Sequence, residues 1–229
     1  MLIWFVAWAI VAIVLLYVAM TTPVPLDDDE RDEHCNDSYQ PHFARNLAGL
    51  PKDYTAINLV TTGDNPAENQ IMEFGAVRMR NGRPVSKMSM LVNPEQQIPE
   101  SVVKKTGLTQ ETLERQPEVG VGLRQFFNFV GCDPLVSPYI DRDRTFLEIN
   151  ARRNGLHMPP NEQVDTLKID HSLFDQDHKR QDLLNRCAVN DAPVARALPR
   201  AETTVQCYEW LNRCADERVL QAAAVPTQR

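Results

Sequence analysis

Residues 54–60 read as a strand, with successive side chains on alternate faces. Thr55, Ile57 and Leu59 fall on one face, Ala56, Asn58 and Val60 on the other. A period of two is the signature of a strand. Gly63, Asn65 and Pro66 then supply turn chemistry, and an apolar run resumes over residues 71–77. Asn81-Gly82 signals a second hairpin, which puts Met88, Met90 and Val92 on one side of the returning strand. Methionines in such a position are core filling. From residue 98 the period becomes helical. Residues 98–117 read as two short helices, with Ser101 and Thr109 as caps and Gly107 ending the first. Residues 119–131 form an amphipathic helix with Leu123, Phe126, Phe127 and Val130 inward. A short strand over 134–140 leads into a helix carrying Phe146, Leu147 and Ala151 on one face and ending at Asn154-Gly155. A further element opens at Val164, a helix covers 182–189, and the last helix covers 201–214. The alternation of strands and helices predicts an α/β class, with a mixed central sheet flanked by helices.

The chain before this domain has a different pattern. Residues 2–20 are apolar without a charge, close to the roughly 20 residues a helix needs to cross a bilayer. Trp4, Trp8 and Tyr17 suit the interfacial belts. The stretch lacks the basic start of a cleaved signal peptide and is too long for one. It predicts a retained transmembrane anchor over residues 1–21. Residues 22–52 then read as an acidic, Pro-containing linker, with a short helix at 42–50 docking onto the domain. The folded domain spans 53–216, and 217–229 form a frayed tail. Arg31, Arg45 and Lys52 follow the span and no cation precedes it. That bias predicts a single-pass protein of the inner or plasma membrane with its domain on the cytoplasmic face.

Charge changes the picture little. Net charge is −7, but seven of the 31 acids and one of the 24 basic residues lie in residues 21–40. The folded part is therefore near neutral, without the bulk cationic surface of a non-specific nucleic-acid binder. Five cysteines (Cys35, Cys132, Cys187, Cys207, Cys214) form no C-x-x-C. Their spacing predicts neither a disulfide framework nor a zinc site, but free thiols in a reducing compartment.

A series of short motifs carries a resemblance: T-T-G at 61–63, E-F-G-A-V at 73–77, L-V-N-P at 91–94, I-P at 98–99, T-G-L-T at 106–109, D-x-x-F-L at 143–147, V-D-T-L at 164–167 and R-A-L at 196–198. In that order and spacing they resemble the epsilon-subunit-like proofreading 3′–5′ exonucleases, the DEDD branch of the RNase H-like fold. The resemblance covers about residues 53–214. It implies two-metal phosphodiester hydrolysis, in which four carboxylates hold two divalent cations roughly 4 Å apart and a histidine acts as general base.

Transferred residue by residue, the resemblance puts the first two carboxylates at Asn58 and Val60, the third at Asp143, the histidine at Ala195 and the last carboxylate at Arg200. Only Asp143 keeps an acid, so it alone is a residual metal candidate. Arg200 brings a fixed positive charge to a place meant for cations. Asp143 and Arg200 are expected to form an ion pair across the emptied site. Thr61, Thr62, Gly63 and Arg142 are the candidates for nucleotide contact. The sequence therefore predicts a degenerate, membrane-anchored member of the fold. No cofactor is expected, and the domain would act as scaffold, nucleotide or nucleic-acid sensor, or partner-binding module. One alternative is an active exonuclease of DNA or RNA with non-standard ligands and Mg2+ or Mn2+. The other is an accessory subunit that meets a membrane-protein partner through residues 2–20.

Overall fold

A computed structural model describes residues 43–175 and 179–224. Strand β1 (Tyr54–Thr61) is buried along its whole length, which is why its sequence carries no charge. It lies at the centre of a five-stranded sheet of order β3-β2-β1-β4-β5. On one side it pairs antiparallel with β2 (Ile71–Arg80), and β2 pairs antiparallel with β3 (Arg83–Leu91). On the other it pairs parallel with β4 (Leu135–Ser137), which pairs parallel with β5 (Gln163–Asp165). The β2–β3 turn has positive φ at Asn81 (50°) and Gly82 (74°), as the Asn-Gly pair predicts. Met88 and Met90 pack against the core and Val92 is buried.

Two layers of helix bury the two faces of the sheet. Helices α1 (Glu100–Thr106) and α2 (Gln110–Glu114) precede α3 (Val119–Val130). α3 and α4 (Ile140–Arg153) pack Leu123, Phe126, Phe127, Phe146 and Leu147 against Ile57, Leu59 and Phe74. After α5 (Thr166–Phe174) and α6 (Arg180–Arg186), the long α7 (Ala197–Ala224) covers the opposite face. There Ala201 and Tyr208 meet Tyr54, Ala56, Val77 and Met79. α7 lies very close to β2. A Cβ on Gly75 would sit 2.2 Å from the Ala197 carbonyl carbon and 2.3 Å from Leu198 N, so this contact requires glycine.

Several expectations change. Thr109 caps α2 by accepting from Thr112 N–H, and Gly107 ends α1 at φ 69°. Ser101, however, lies inside α1. The cap position is Pro99, whose carbonyl accepts from both Val102 and Val103, so no side-chain cap is needed. Residues 43–52 form no helix. Gly49 is left-handed at φ 81°, and an Arg45–Pro51 bridge closes the segment into a turn. Asn46 fastens it, accepting from Leu50 N–H at 2.7 Å and donating to Asn212 Oδ1 at 3.0 Å. α7 begins earlier than the pattern suggests and continues through residues 217–224, so that part of the tail is helical. Cys187, Cys207 and Cys214 are free, but Cys132 is disulfide-bonded, against the expectation of free thiols throughout. Among the described residues no helix is long and apolar enough to cross a membrane. The apolar stretch 2–20 and the acidic linker up to residue 42 lie outside the described residues, as does the end of the tail.

Candidate functional site

The parallel strands β1 and β4 and the starts of α4 and α7 bring the sequence-predicted residues together. This is the carboxyl-end edge at which open α/β sheets bind ligands. Asn58 and Val60 point to the α7 side of β1, and Thr61 follows at a register shift. Asp143 sits in the first turn of α4. Arg200 sits in the first turn of α7, and Ala195 lies on the approach to it, donating its N–H to the Lys105 carbonyl at 3.1 Å.

Asp143 is 2% exposed. Ser137 Oγ donates to its Oδ2 at 2.6 Å, and Arg142 Nη1 reaches its Oδ1 at a long 3.4 Å. Burial pushes the Asp143 carboxyl up to about 6. The Ser137 hydrogen bond and the Arg142 charge only partly oppose that, and nearby Asp165 adds to it. Asp165, half-buried at the end of β5, accepts from Leu167 and Lys168 N–H and is itself raised, chiefly by burial.

Val60 carries no polar role. It belongs to an apolar cluster with Met72, Ile98, Leu108, Leu113 and Ala197. Asn58 is 8% exposed, and its Oδ1 is buried without a hydrogen-bond partner. Arg142 organises the mouth of the site. Its Nη2 donates to Thr61 Oγ1 at 2.9 Å and to the exposed Asp64 at 3.2 Å, and its guanidinium lies over the Phe146 ring at 4.8 Å. Thr61 in turn donates to the Gly63 carbonyl at 2.7 Å. The candidates Arg142, Thr61 and Gly63 are thus linked. Thr62 is not part of that link: its hydroxyl bonds Gln96 and accepts from Gln70 N–H. Asp141, two residues before Asp143, lies on the surface and pairs with Lys168.

The expected Asp143–Arg200 ion pair is not formed. Ser137 and Arg142 already occupy the Asp143 carboxylate. Arg200 is half-buried, its Nε is buried without a partner, and burial lowers it from its usual value. Arg180 and Arg142 lower it further, while Asp191 and Tyr139 act the other way. Arg180 ion-pairs with Asp191 and donates to Thr203 Oγ1 at 2.8 Å. Sequence reasoning passed over Asp165, Arg180 and Asp191. Asp165 lies within a recognised motif, V-D-T-L, and that was a usable signal. Arg180 opens α6 just before the helix read over residues 182–189, and Asp191 follows that helix, so both lie just outside the pattern. Among the described residues no three His, Cys, Asp or Glu side chains converge as metal ligands.

Known proteins share this frame. The chain is 27% identical over 161 residues to the DNA polymerase III epsilon subunit of Aquifex aeolicus, covering 69% of this chain and 80% of the relative. It is 27% identical over 181 residues to the PolC-type DNA polymerase III of Halalkalibacterium halodurans, covering 77% of this chain but 13% of that much longer protein. Among solved structures, exonuclease X in complex with 5′-overhanging duplex DNA superposes with a TM-score of 0.56 at 20% identity, over 70% of this chain and 91% of the other. The exonuclease family profile of RNase T matches residues 61–194. That match covers more than half of the chain and takes in β1's end, the hairpin, Asp143 and the loop before α7. The sheet order, the motif series and this match together place the chain in the exonuclease family of RNase T.

Proposed function

We propose that the chain is a membrane-anchored exonuclease-fold domain that engages nucleic acid or nucleotides without cleaving them. The observation that carries this reading is Val60. At the position where the resemblance calls for a metal-binding carboxylate, the side chain is part of an apolar cluster that includes Ala197 at the start of α7. The residues present do not fit a pair of divalent cations. Asp143 is buried and already bonded to Ser137 and Arg142, Asn58 offers a neutral oxygen, and Arg200 adds a positive charge. A metal site needs its ligand count and geometry together. Ala195, on the position of the general base, has no group that can accept a proton. Nucleic acid is the class of ligand because a solved relative of the fold is in complex with duplex DNA and the Thr61–Gly63 turn is retained.

Residues 2–20 supply the anchor in this reading, in the inner or plasma membrane with one span. The flanking cations support a cytoplasmic domain. A second placement, on the oxidising side, is favoured by the disulfide at Cys132. Protease protection in intact spheroplasts separates the two.

The test uses the full chain with end-labelled single-stranded DNA and RNA and either Mg2+ or Mn2+. The expected result is no release of nucleotides with either metal. Release that disappears in Asp143→Ala would establish an active exonuclease with unusual ligands and overturn the proposal.

A further inference from the structure

Arg200 has an unusual environment. Its guanidinium is half-buried, its Nε is fully buried, and that Nε meets no acceptor. Buried donors are nearly always satisfied, because an unmade bond leaves the cost of desolvating the donor uncompensated. The groups around it do not supply the missing acceptor. Within electrostatic reach lie Arg180, Asp191, Tyr139 and Arg142. Asp191 is taken by Arg180, and Arg142 is directed to Thr61, Asp64 and Asp143. Arg142 and Arg180 therefore lie near Arg200, and the carboxylate near it, Asp191, is ion-paired with Arg180 and forms no ion pair with Arg200. Tyr139 stands near Arg200 with 45% of its surface exposed, which leaves ring surface free to stack.

We infer that Arg200, flanked by Arg142 and Arg180, binds the phosphate of a nucleotide directly, without a metal ion, while Tyr139 stacks on the base. This deepens the non-cleaving reading and rests on it. Guanidinium groups suit the task because their planar fork matches two phosphate oxygens and their charge is fixed. Stacking on an exposed aromatic ring is the usual sequence-tolerant way to hold a base. Fixed arginines do for the phosphate what cations would otherwise do, but they offer no site at which water is activated. Binding then survives where hydrolysis does not.

The test is calorimetry on the full chain in excess EDTA, with thymidine 5′-monophosphate, inorganic phosphate and thymidine as three separate probes. The monophosphate should bind saturably and more tightly than inorganic phosphate, and thymidine should not bind. Arg200→Ala should weaken the monophosphate about tenfold or more, the effect of losing one charge-assisted contact of 1.4 kcal/mol or above. Arg144→Ala, which removes a surface pair with Glu148, should leave affinity unchanged. Absence of binding in EDTA, or equal affinity in Arg200→Ala, overturns the phosphate site. Equal affinity for the monophosphate and inorganic phosphate overturns its assignment to a nucleotide. Should Arg200→Ala fail to fold, the wild-type protein decides the point: the Arg200 Nε–H resonance must move on adding monophosphate, and a static resonance refutes the contact. Release of nucleotides in the hydrolysis assay would strike the non-cleaving reading instead, so the two failures are distinguishable.

Discussion

Glu73 on β2 and Asp143 on α4 are both buried carboxylates, 1% and 2% exposed, yet the fold treats them differently. Glu73 accepts from Arg196 Nε at 2.9 Å and Nη2 at 2.8 Å, and from Ala197 N–H at 2.9 Å. Its partners come from 123 and 124 residues away in sequence. They fasten the start of α7 to the sheet at the same contact that requires Gly75. Asp143 has one short hydrogen bond from Ser137, six residues before it, and a long one from its neighbour Arg142. Glu73 is held by a bidentate guanidinium and a backbone donor. Asp143 has no such set of donors, and burial pushes its carboxyl up to about 6. The lesson is that a buried acid wired to distant elements holds the fold. One served only by local groups, as Asp143 is, sits at the candidate site.

The largest effect should come from separating Glu73 from its partner. Arg196→Ala leaves a buried carboxylate with only a backbone donor, a change that typically costs about 3–5 kcal/mol. Urea unfolding of the full chain at pH 7 measures it. A loss below about 1 kcal/mol, the range of an exposed pair, would remove the distinction between the two acids.

Asp143→Asn should act in the opposite sense and depend on pH. A folded-state value raised to about 6, against about 4 when unfolded, means the fold prefers the protonated acid. The contribution of Asp143 to stability is then fully present below pH 4 and is lost as pH rises through 6. Over that window the wild type should lose about 2–3 kcal/mol relative to Asp143→Asn. Parallel stability curves for the two proteins between pH 4 and pH 7 would show that Asp143 is as well satisfied as Glu73.

This contrast was only half legible in the sequence. The frame was: strand β1, the Asn81-Gly82 turn and the inward Leu123, Phe126 and Phe127 follow from periodicity and turn chemistry, and the structure has them. Glu73 and Arg196 were recognisable as members of recurring motifs, but their mutual bond was not, because a 123-residue separation leaves no local trace. At the site, it could be read directly that Asn58, Val60 and Arg200 carry no acid. What each of them meets could not. Arg200 was expected to reach Asp143 because the resemblance puts both at one metal site. Ser137 and Arg142, nearer in the chain, reach that carboxylate first. The environment that Arg200 meets instead is made by Arg180 and Asp191, which flank the helix read over residues 182–189 rather than lying within it. Opposite charges assigned to one site are a weaker guide than the number of donors already beside each of them.

Ser137→Ala is the finest probe of the same contrast. Its hydroxyl donates to the Asp143 carboxylate at 2.6 Å and accepts Tyr139 N–H at 3.3 Å. Donation to the ionised form favours that form, so removing it should drive the Asp143 carboxyl further above 6, as followed by the carboxyl carbon resonance across a pH titration. The accompanying loss of stability should be about 1.5 kcal/mol at pH 8, the low end for a hydrogen bond to a charged group. It should shrink at pH 5, where Asp143 is mostly protonated and the ionic part of the bond is gone. If the resonance titrates as in the wild type, the Ser137 bond is not what keeps the charge on Asp143. Arg142 would then be its real partner despite the longer distance. In that case the two buried acids differ in how many donors the guanidinium spends on them, two from Arg196 for Glu73 and one for Asp143 from an arginine shared with Thr61 and Asp64, and in the backbone donor that Ala197 gives Glu73 alone.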